Sequence, residues 1–331
     1  MVKVSIIIAA YNVEKYIERC MDSLVNQTLS DIEIIAVNDG STDSTLDILN
    51  RYKKNDSRIV IVDKQNAGLI EARKSGLDEA RGEYLLFVDG DDWIDINTTE
   101  VLYNKAIKDD LDIVCYNLCH AYDTWIKSMK MHDFGIVTGL EYLKLVLLNK
   151  VRANIVLQFL KREFILYNKI EFPSDITYAE DLAITATLAC NSPKVGSLYQ
   201  TLYYYYQREN SVTQQISEKV FDVEIAMNII ENKLKSKCIY EEYYNEFEYL
   251  MFIHLYYHRV IAVRYLGDIH RELYNRWIRK NIDLTNNKYY REFIKTIPIK
   301  ERLKIELYNI SYTLGNIYNR VYNFMIKLLK R

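Results

Sequence analysis

Three carboxylates fall within four positions of FVDGDDWID, residues 87–95, where the apolar run YLLFV (84–88) ends and Asp89, Asp91 and Asp92 follow. Like charges this close repel one another, and a bound divalent cation, shared protons or solvation in a turn are the ways to tolerate them. A second acidic pair, Glu180 and Asp181 in ITYAEDLAIT (176–185), opens an apolar helical pattern at Leu182, Ala186 and Ala189. The helix dipole favours ionised acids there, so the pair reads either as ordinary helix-start residues or as a general base.

These groups need strands and helices to hold them. Short apolar runs alternate with helical patterns over the first 120 residues: VSIIIAA (4–10), EIIAV (33–37), IVIV (59–62), YLLFV (84–88) and DIVCY (112–116) are separated by helices from about Val13, Ser44 and Leu69. Continuously apolar strands that alternate with helices predict a mostly parallel α/β sheet covered on both faces. Ligands bind such sheets beyond the carboxyl ends of the strands. The loops there read AAYN (9–12), NDGSTD (38–43), DKQNAG (63–68) and DGDDW (89–93), all rich in Asp, Asn, Gly or Ser. Asp43 or Ser44 is the expected cap of the second helix.

No G-x-G-x-x-G follows the first strand and no P-loop motif occurs, which disfavours dinucleotide cofactors and P-loop chemistry. A phosphate ligand would then need positive charge from elsewhere, and a cation on the Asp89–Asp92 cluster would supply it.

At these residues the chain resembles the family-2 glycosyltransferases, enzymes of the GT-A (Rossmann-like) fold that use nucleotide-activated sugars. The resemblance is carried by VSIIIAAYNVEKYIERCMDSLVNQTLSDIEIIAVNDGSTDST and NAGLIEARKSGLDEARGEYLLFVDGDDWI, and more weakly by YAEDL and YYQRENSVT. It covers about the first 215 residues. It implies that Ala10, Tyr11 and Asp39 cradle the nucleoside, that Asn66, Gly68 and Arg73 lie in a segment closing over the nucleotide, and that Arg208 and Ser211 lie near the diphosphate. It also implies that Asp89-Gly90-Asp91 is the D-x-D element holding Mn2+ or Mg2+. Asp91 is the first choice for the metal, Asp89 for metal or ribose, and Asp92 for an outer role. Asp181 becomes the general base and Glu180 an acceptor-binding partner, in a single displacement that inverts the anomeric carbon.

The implied activity is transfer from a UDP-sugar to a glycan, glycolipid or glycoprotein acceptor. A non-catalytic partner of the same fold is the rival, and intact D-x-D and base motifs favour the enzyme. A nucleotidyltransferase is disfavoured because AAYNVEKY is no glycine- and basic-rich loop. No nucleic-acid partner is expected. A third metal ligand cannot be chosen among His120, His132, His254, His258 and His270.

With 331 residues, 49% apolar, 10 Gly and 3 Pro, the chain has material for a large core and little for linkers. The expected division is a GT-A domain over 1–217 and a helical domain over 218–331, with helices at 219–235, 240–266, 270–280 and 300–330. Five cysteines without a C-x-x-C pair suggest reduced thiols and a cytoplasmic setting. A metal site at Cys115, Cys119 and His120 is weighed and set aside. MVKVSIIIAAYN reads as a strand, not a signal peptide, and no run approaches the roughly 18 apolar residues of a membrane span.

Residues 271–331 carry 14 Lys and Arg against 5 Asp and Glu, a local +9 in a chain of net −2. Within 299–330, Leu303, Leu307, Ile310, Leu314, Ile317, Val321, Phe324 and Leu328 form an apolar stripe amid Arg302, Lys304, Arg320, Lys327, Lys330 and Arg331. This pattern suits either peripheral contact with the inner face of the membrane or packing, on the appendage or in a homo-oligomer.

Overall fold

A computed structural model describes residues 1–129, 132–208, 217–263 and 267–329, with side chains to residue 325. Two compact units are present, one of residues 1–146 with 151–215 and one of 147–150 with 216–331.

In the first unit, β-branched runs make the strands and amphipathic patterns make the helices between them. β1 (Val4–Ala10) leads to α1 (Ile17–Val25), which buries Ile17, Cys20, Met21 and Leu24 at helical spacing. Then follow β2 (Ile32–Asp39), α2 (Thr45–Asn55), β3 (Ile59–Lys64), α3 (Leu69–Glu79) and β4 (Tyr84–Asp89). The order β3-β2-β1-β4 is parallel throughout, and both faces are covered. Ser44 is the N-cap of α2 and makes no side-chain capping bond, while the preceding Asp43 carboxylate accepts from the backbone N–H of Thr45 at 3.0 Å and of Glu14 at 3.1 Å.

Beyond β4 lie the two-residue β5 (Trp93–Ile94), α4 (Thr98–Asp109), β6 (Ile113–Ala121), β7 (Ile126–Ser128), β8 (Ile136–Val137), α5 (Gly139–Leu147), β9 (Gln158–Lys161), α6 (Arg162–Tyr167), α7 (Glu180–Asn191) and β10 (Val195–Tyr206). β9 inserts antiparallel between β4 and β6, and β5 pairs antiparallel with β10. The sheet is therefore mixed at this side, though β6 and β10 keep the direction of β4. Cys115, Cys119 and His120 lie along β6, with Cys119 reaching the backbone oxygen of Tyr203 at 3.7 Å.

The second unit is helical: α8 (Asp222–Ser236), α9 (Tyr244–Met251), α10 (Asp268–Arg279), α11 (Lys288–Thr296), α12 (Ile299–Ile310) and α13 (Tyr312–Leu329). Two expectations are corrected here. α9 does not continue as an α-helix towards 266; it passes into a π-helix over Phe252–Ile261. The expected helix 300–330 is two helices, broken at Ser311, where φ −165° and ψ 152° are extended. They fold back as a hairpin. A Cβ on Gly315 would meet the Tyr308 ring at 2.2 Å, so only glycine permits this approach, and Lys300 Nζ reaches Tyr322 at 3.0 Å. Lys304 is buried, donating to the backbone oxygens of Ile261 and Val263, so it adds no surface charge.

Candidate active site

The carboxyl ends of β1, β2 and β4 deliver Ala10, Asp39 and Asp89 to one end of the sheet. Gly90 donates its N–H to the Ala9 carbonyl at 3.1 Å, tying the acidic turn to the first loop. Tyr11 follows buried Ala10 and is half exposed.

Asp39 is 3% exposed and organises the neighbouring loop. Its carboxylate accepts from Lys64 Nζ at 2.8 Å, the Ala67 N–H at 3.0 Å and the Gly68 N–H at 2.8 Å. Asn66 donates its side-chain amide to the Asp39 carbonyl at 3.0 Å. Gly40 must be glycine: its φ is +68° and a Cβ would lie 2.6 Å from the Asn66 nitrogen. Asp39, Asn66 and Gly68 thus form one rigid corner.

Arg73 joins the two acidic motifs that the sequence separates by about ninety residues. It projects from α3 and is buried, with one guanidinium nitrogen 3.1 Å from Asp89 and another 3.0 Å from Asp181. Burial opposes its charge, yet Asp89, Asp181 and Glu180 outweigh that and raise its pKa. A solvated helical charge, the plain alternative for Arg73, does not fit this position. Asp181 also receives the Asn154 amide at 3.4 Å. Burial pushes Asp181 above the usual carboxylate range even though Arg73 pulls it down. Glu180, desolvated and beside the Asp181 charge, is pushed up to about 7. The residue before it, Ala179, has φ +66°, which turns the chain sharply into α7.

Asp91 faces Arg208 at 3.1 Å, and burial together with the Asp89 charge raises its pKa. Asp92 is fully buried and points away from solvent: the Tyr203 hydroxyl donates to it at 2.7 Å and the Tyr206 N–H at 2.8 Å. It clamps the turn to β10. The same Tyr203 oxygen accepts the Asp89 N–H at 3.2 Å. Arg19, on α1, lies between two rings, 3.8 Å from the Trp93 centroid and 4.3 Å from that of Tyr206, and donates to the Asp91 carbonyl at 3.3 Å.

The structure thus brings Asp89, Asp91, Arg73, Arg208 and Asp181 into one connected set, with Glu180 adjoining. Asp39, Asn66 and Gly68 make a second cluster. Sequence reasoning missed Tyr203, Arg19, Lys64 and Asn154. The apolar-aromatic run of β10 masked Tyr203, and nothing local marks the other three. Ser211 lies outside the described residues. Among the described residues, no group of three or more His, Cys, Asp or Glu is disposed to hold a metal ion. His254, His258 and His270 lie in the second unit, His270 buried and His254 partly so, and desolvation lowers the pKa of all three.

The family model described as "Glycosyl transferase family 2" matches residues 5–170. The cholesterol galactosyltransferase of Borreliella burgdorferi (strain ATCC 35210 / DSM 4680 / CIP 102532 / B31) is 30% identical over 98% of both chains. The poly(ribitol-phosphate) beta-glucosyltransferase of Bacillus spizizenii (strain ATCC 23059 / NRRL B-14472 / W23) is 35% identical over 61% of this chain, which spans only 32% of that protein. Among solved structures, residues 1–349 of S. aureus TarS superimpose with TM-score 0.68 at 19% identity, covering 98% of this chain and 91% of that one. The complex of the same TarS fragment with UDP-GlcNAc gives TM-score 0.64 at 22% identity, covering 91% and 77%. The chain belongs to glycosyl transferase family 2 and is a glycosyltransferase of the GT-A fold.

Proposed function

We propose that this glycosyltransferase moves a sugar from a UDP-sugar to an acceptor hydroxyl by a single, inverting displacement, with a divalent cation at Asp89 and Asp91. The observation that carries the reading is Arg73, which binds the acidic turn and the candidate base at once. TarS was solved with UDP and with UDP-GlcNAc, which supports the choice of nucleotide. The full-length likeness to a cholesterol galactosyltransferase supports a lipid-borne hydroxyl among the glycan, glycolipid and glycoprotein acceptors, and hence work at the cytoplasmic face of a membrane.

The donor set fits Mn2+ or Mg2+. Asp89 and Asp91 offer hard carboxylate oxygens, and burial first, then the neighbouring Asp89 charge, raises the Asp91 pKa; a cation would offset both by favouring the ionised carboxylates. Asp89 and Asp91 would hold the cation, and two carboxylates by themselves would not satisfy its oxygen coordination. When bound, the cation supplies Lewis-acid stabilisation of the departing diphosphate.

The chain's own groups account for the rest. The corner built on Asp39 and the exposed Tyr11 hold the nucleoside. Arg208 supplies positive charge at Asp91 and can pass it to the diphosphate. Asp181 takes the acceptor proton on a carboxylate oxygen, and Arg73 keeps that carboxylate aimed and counters its desolvation. Glu180, with its raised pKa, holds the acceptor beside it.

Incubating the protein with a panel of UDP-sugars and following hydrolysis by mass spectrometry tests this without an acceptor. Cation-dependent release of UDP from one of them is expected. Equal release with and without EDTA would remove the cation from the reading, and no release with any UDP-sugar would remove the donor.

A further inference from the structure

The hairpin of α12 and α13 has two unlike sides. Gly315 and Asn319 are buried on α13, Gly315 against Tyr308. Away from them lie Leu314, Ile317, Val321, Phe324 and Met325, all 41–64% exposed. At helical pitch these five occupy about 100° of the circumference, an unbroken apolar face left exposed by the described residues. α12 adds exposed Ile299, Leu303 and Ile310. The expectation that the stripe packs on the appendage is thus corrected for these residues; Leu307 alone is half-buried, and the side chain of Leu328 lies outside the described residues.

Charge decides what can cover this face. Arg320 is exposed next to Ile317 and Val321, and α13 contains no Asp or Glu at all. A second copy laid on the same face of α13 would find no carboxylate on that helix to answer Arg320, the nearest exposed acid of the hairpin being Glu306 on α12. An anionic bilayer offers an apolar layer for the row and negative headgroups for the arginine. α13 is no spanning segment: among the described residues no helix is long and apolar enough to cross a membrane.

We propose that the α12–α13 hairpin is a docking surface for an anionic lipid bilayer, α13 lying in the interface with Leu314, Ile317, Val321 and Phe324 embedded and Arg320 at the headgroup phosphates. Its purpose rests on the lipid-borne acceptor reading above, while its evidence rests on these helices alone.

Flotation of the full chain with phosphatidylcholine vesicles, with and without phosphatidylglycerol, tests it. Binding to the anionic vesicles is expected to weaken with salt, and Ile317→Glu with Phe324→Glu should lower it about tenfold or more, by removing apolar insertion and adding repulsion. Both side chains are exposed, so circular dichroism and UDP affinity should match the parent. The proposal is overturned if the full chain does not float, if it binds neutral and anionic vesicles alike, or if the double variant floats as the parent does. A concentration-dependent dimer lost in the variant, without vesicle binding, would overturn it in favour of a second copy. UDP binding on the same samples separates the two readings: a chain that floats but binds no UDP keeps the docking surface and loses the donor assignment, and the converse result does the reverse.

Discussion

Asp181 and Asp91 are both partly buried carboxylates with raised pKa values, but their partners assign them different work. Asp181 is held by Arg73 and Asn154, which orient it without occupying it fully. Asp181→Asn preserves that shape and removes the base, so turnover should fall about 10²–10⁴-fold while UDP affinity stays near the parent value. Near-parent turnover would move the base to Glu180. Asp91 instead faces Arg208 across the acidic turn, at the place proposed for the cation. Titration calorimetry of UDP binding in Mn2+ and in EDTA should show tighter binding in Mn2+ for the parent, and Asp91→Ala should erase the difference. Equal parent affinity in both conditions would sink the metal bridge.

At the scale of elements, the acidic turn is held by β10, which is remote in sequence. The Tyr203 hydroxyl donates to Asp92 and accepts from the Asp89 backbone. Tyr203→Phe keeps the ring and strands a buried carboxylate, so stability to urea should fall by about 1–3 kcal/mol. UDP affinity in Mn2+ should weaken with it, because the turn loses its anchor. Unchanged stability and affinity would show that Tyr206 N–H alone secures Asp92. Much of this element was legible: the strands β1 to β4 and the helices between them follow from β-branched runs and helical periodicity. The role of Tyr203 was not, since a tyrosine in YYYY carries no local sign of which ring turns inward.

The two units of the whole molecule should respond to acid in opposite directions. In the first, burial raises Asp91, Asp92, Asp112, Asp181 and Glu180. A raised carboxyl binds its proton more tightly folded than unfolded, so that stability is present below the unfolded value near 4 and is lost as pH rises through the folded value, about 7 for Glu180. In the second unit, His254 is pushed down to about 3 by burial, and His258 and His270 are lowered too. Their contribution is present above the unfolded value of about 6.5 and lost as pH falls. Calorimetry in EDTA from pH 8 to 5.5 should therefore show one transition rising and one falling. A single transition, or two moving together, would refute the assignment.

Local chemistry determined what the sequence could say alone. Alternating apolar runs predict a mostly parallel α/β sheet with acids at its strand ends, because burial and turn preferences act over a few residues, and the resemblance to family-2 glycosyltransferases implied the GT-A fold and the motif roles. The boundary expected at 217/218 draws on the change in the sequence from strand patterns to helical ones. Tertiary structure decided the pairings. Only folding brings Arg73 within reach of both Asp89 and Asp181, turns Asp92 inward to β10, buries Lys304 and breaks the last helix at Ser311. Each depends on which distant atoms arrive to satisfy a buried charge or fill a face, and a linear pattern carries no record of that.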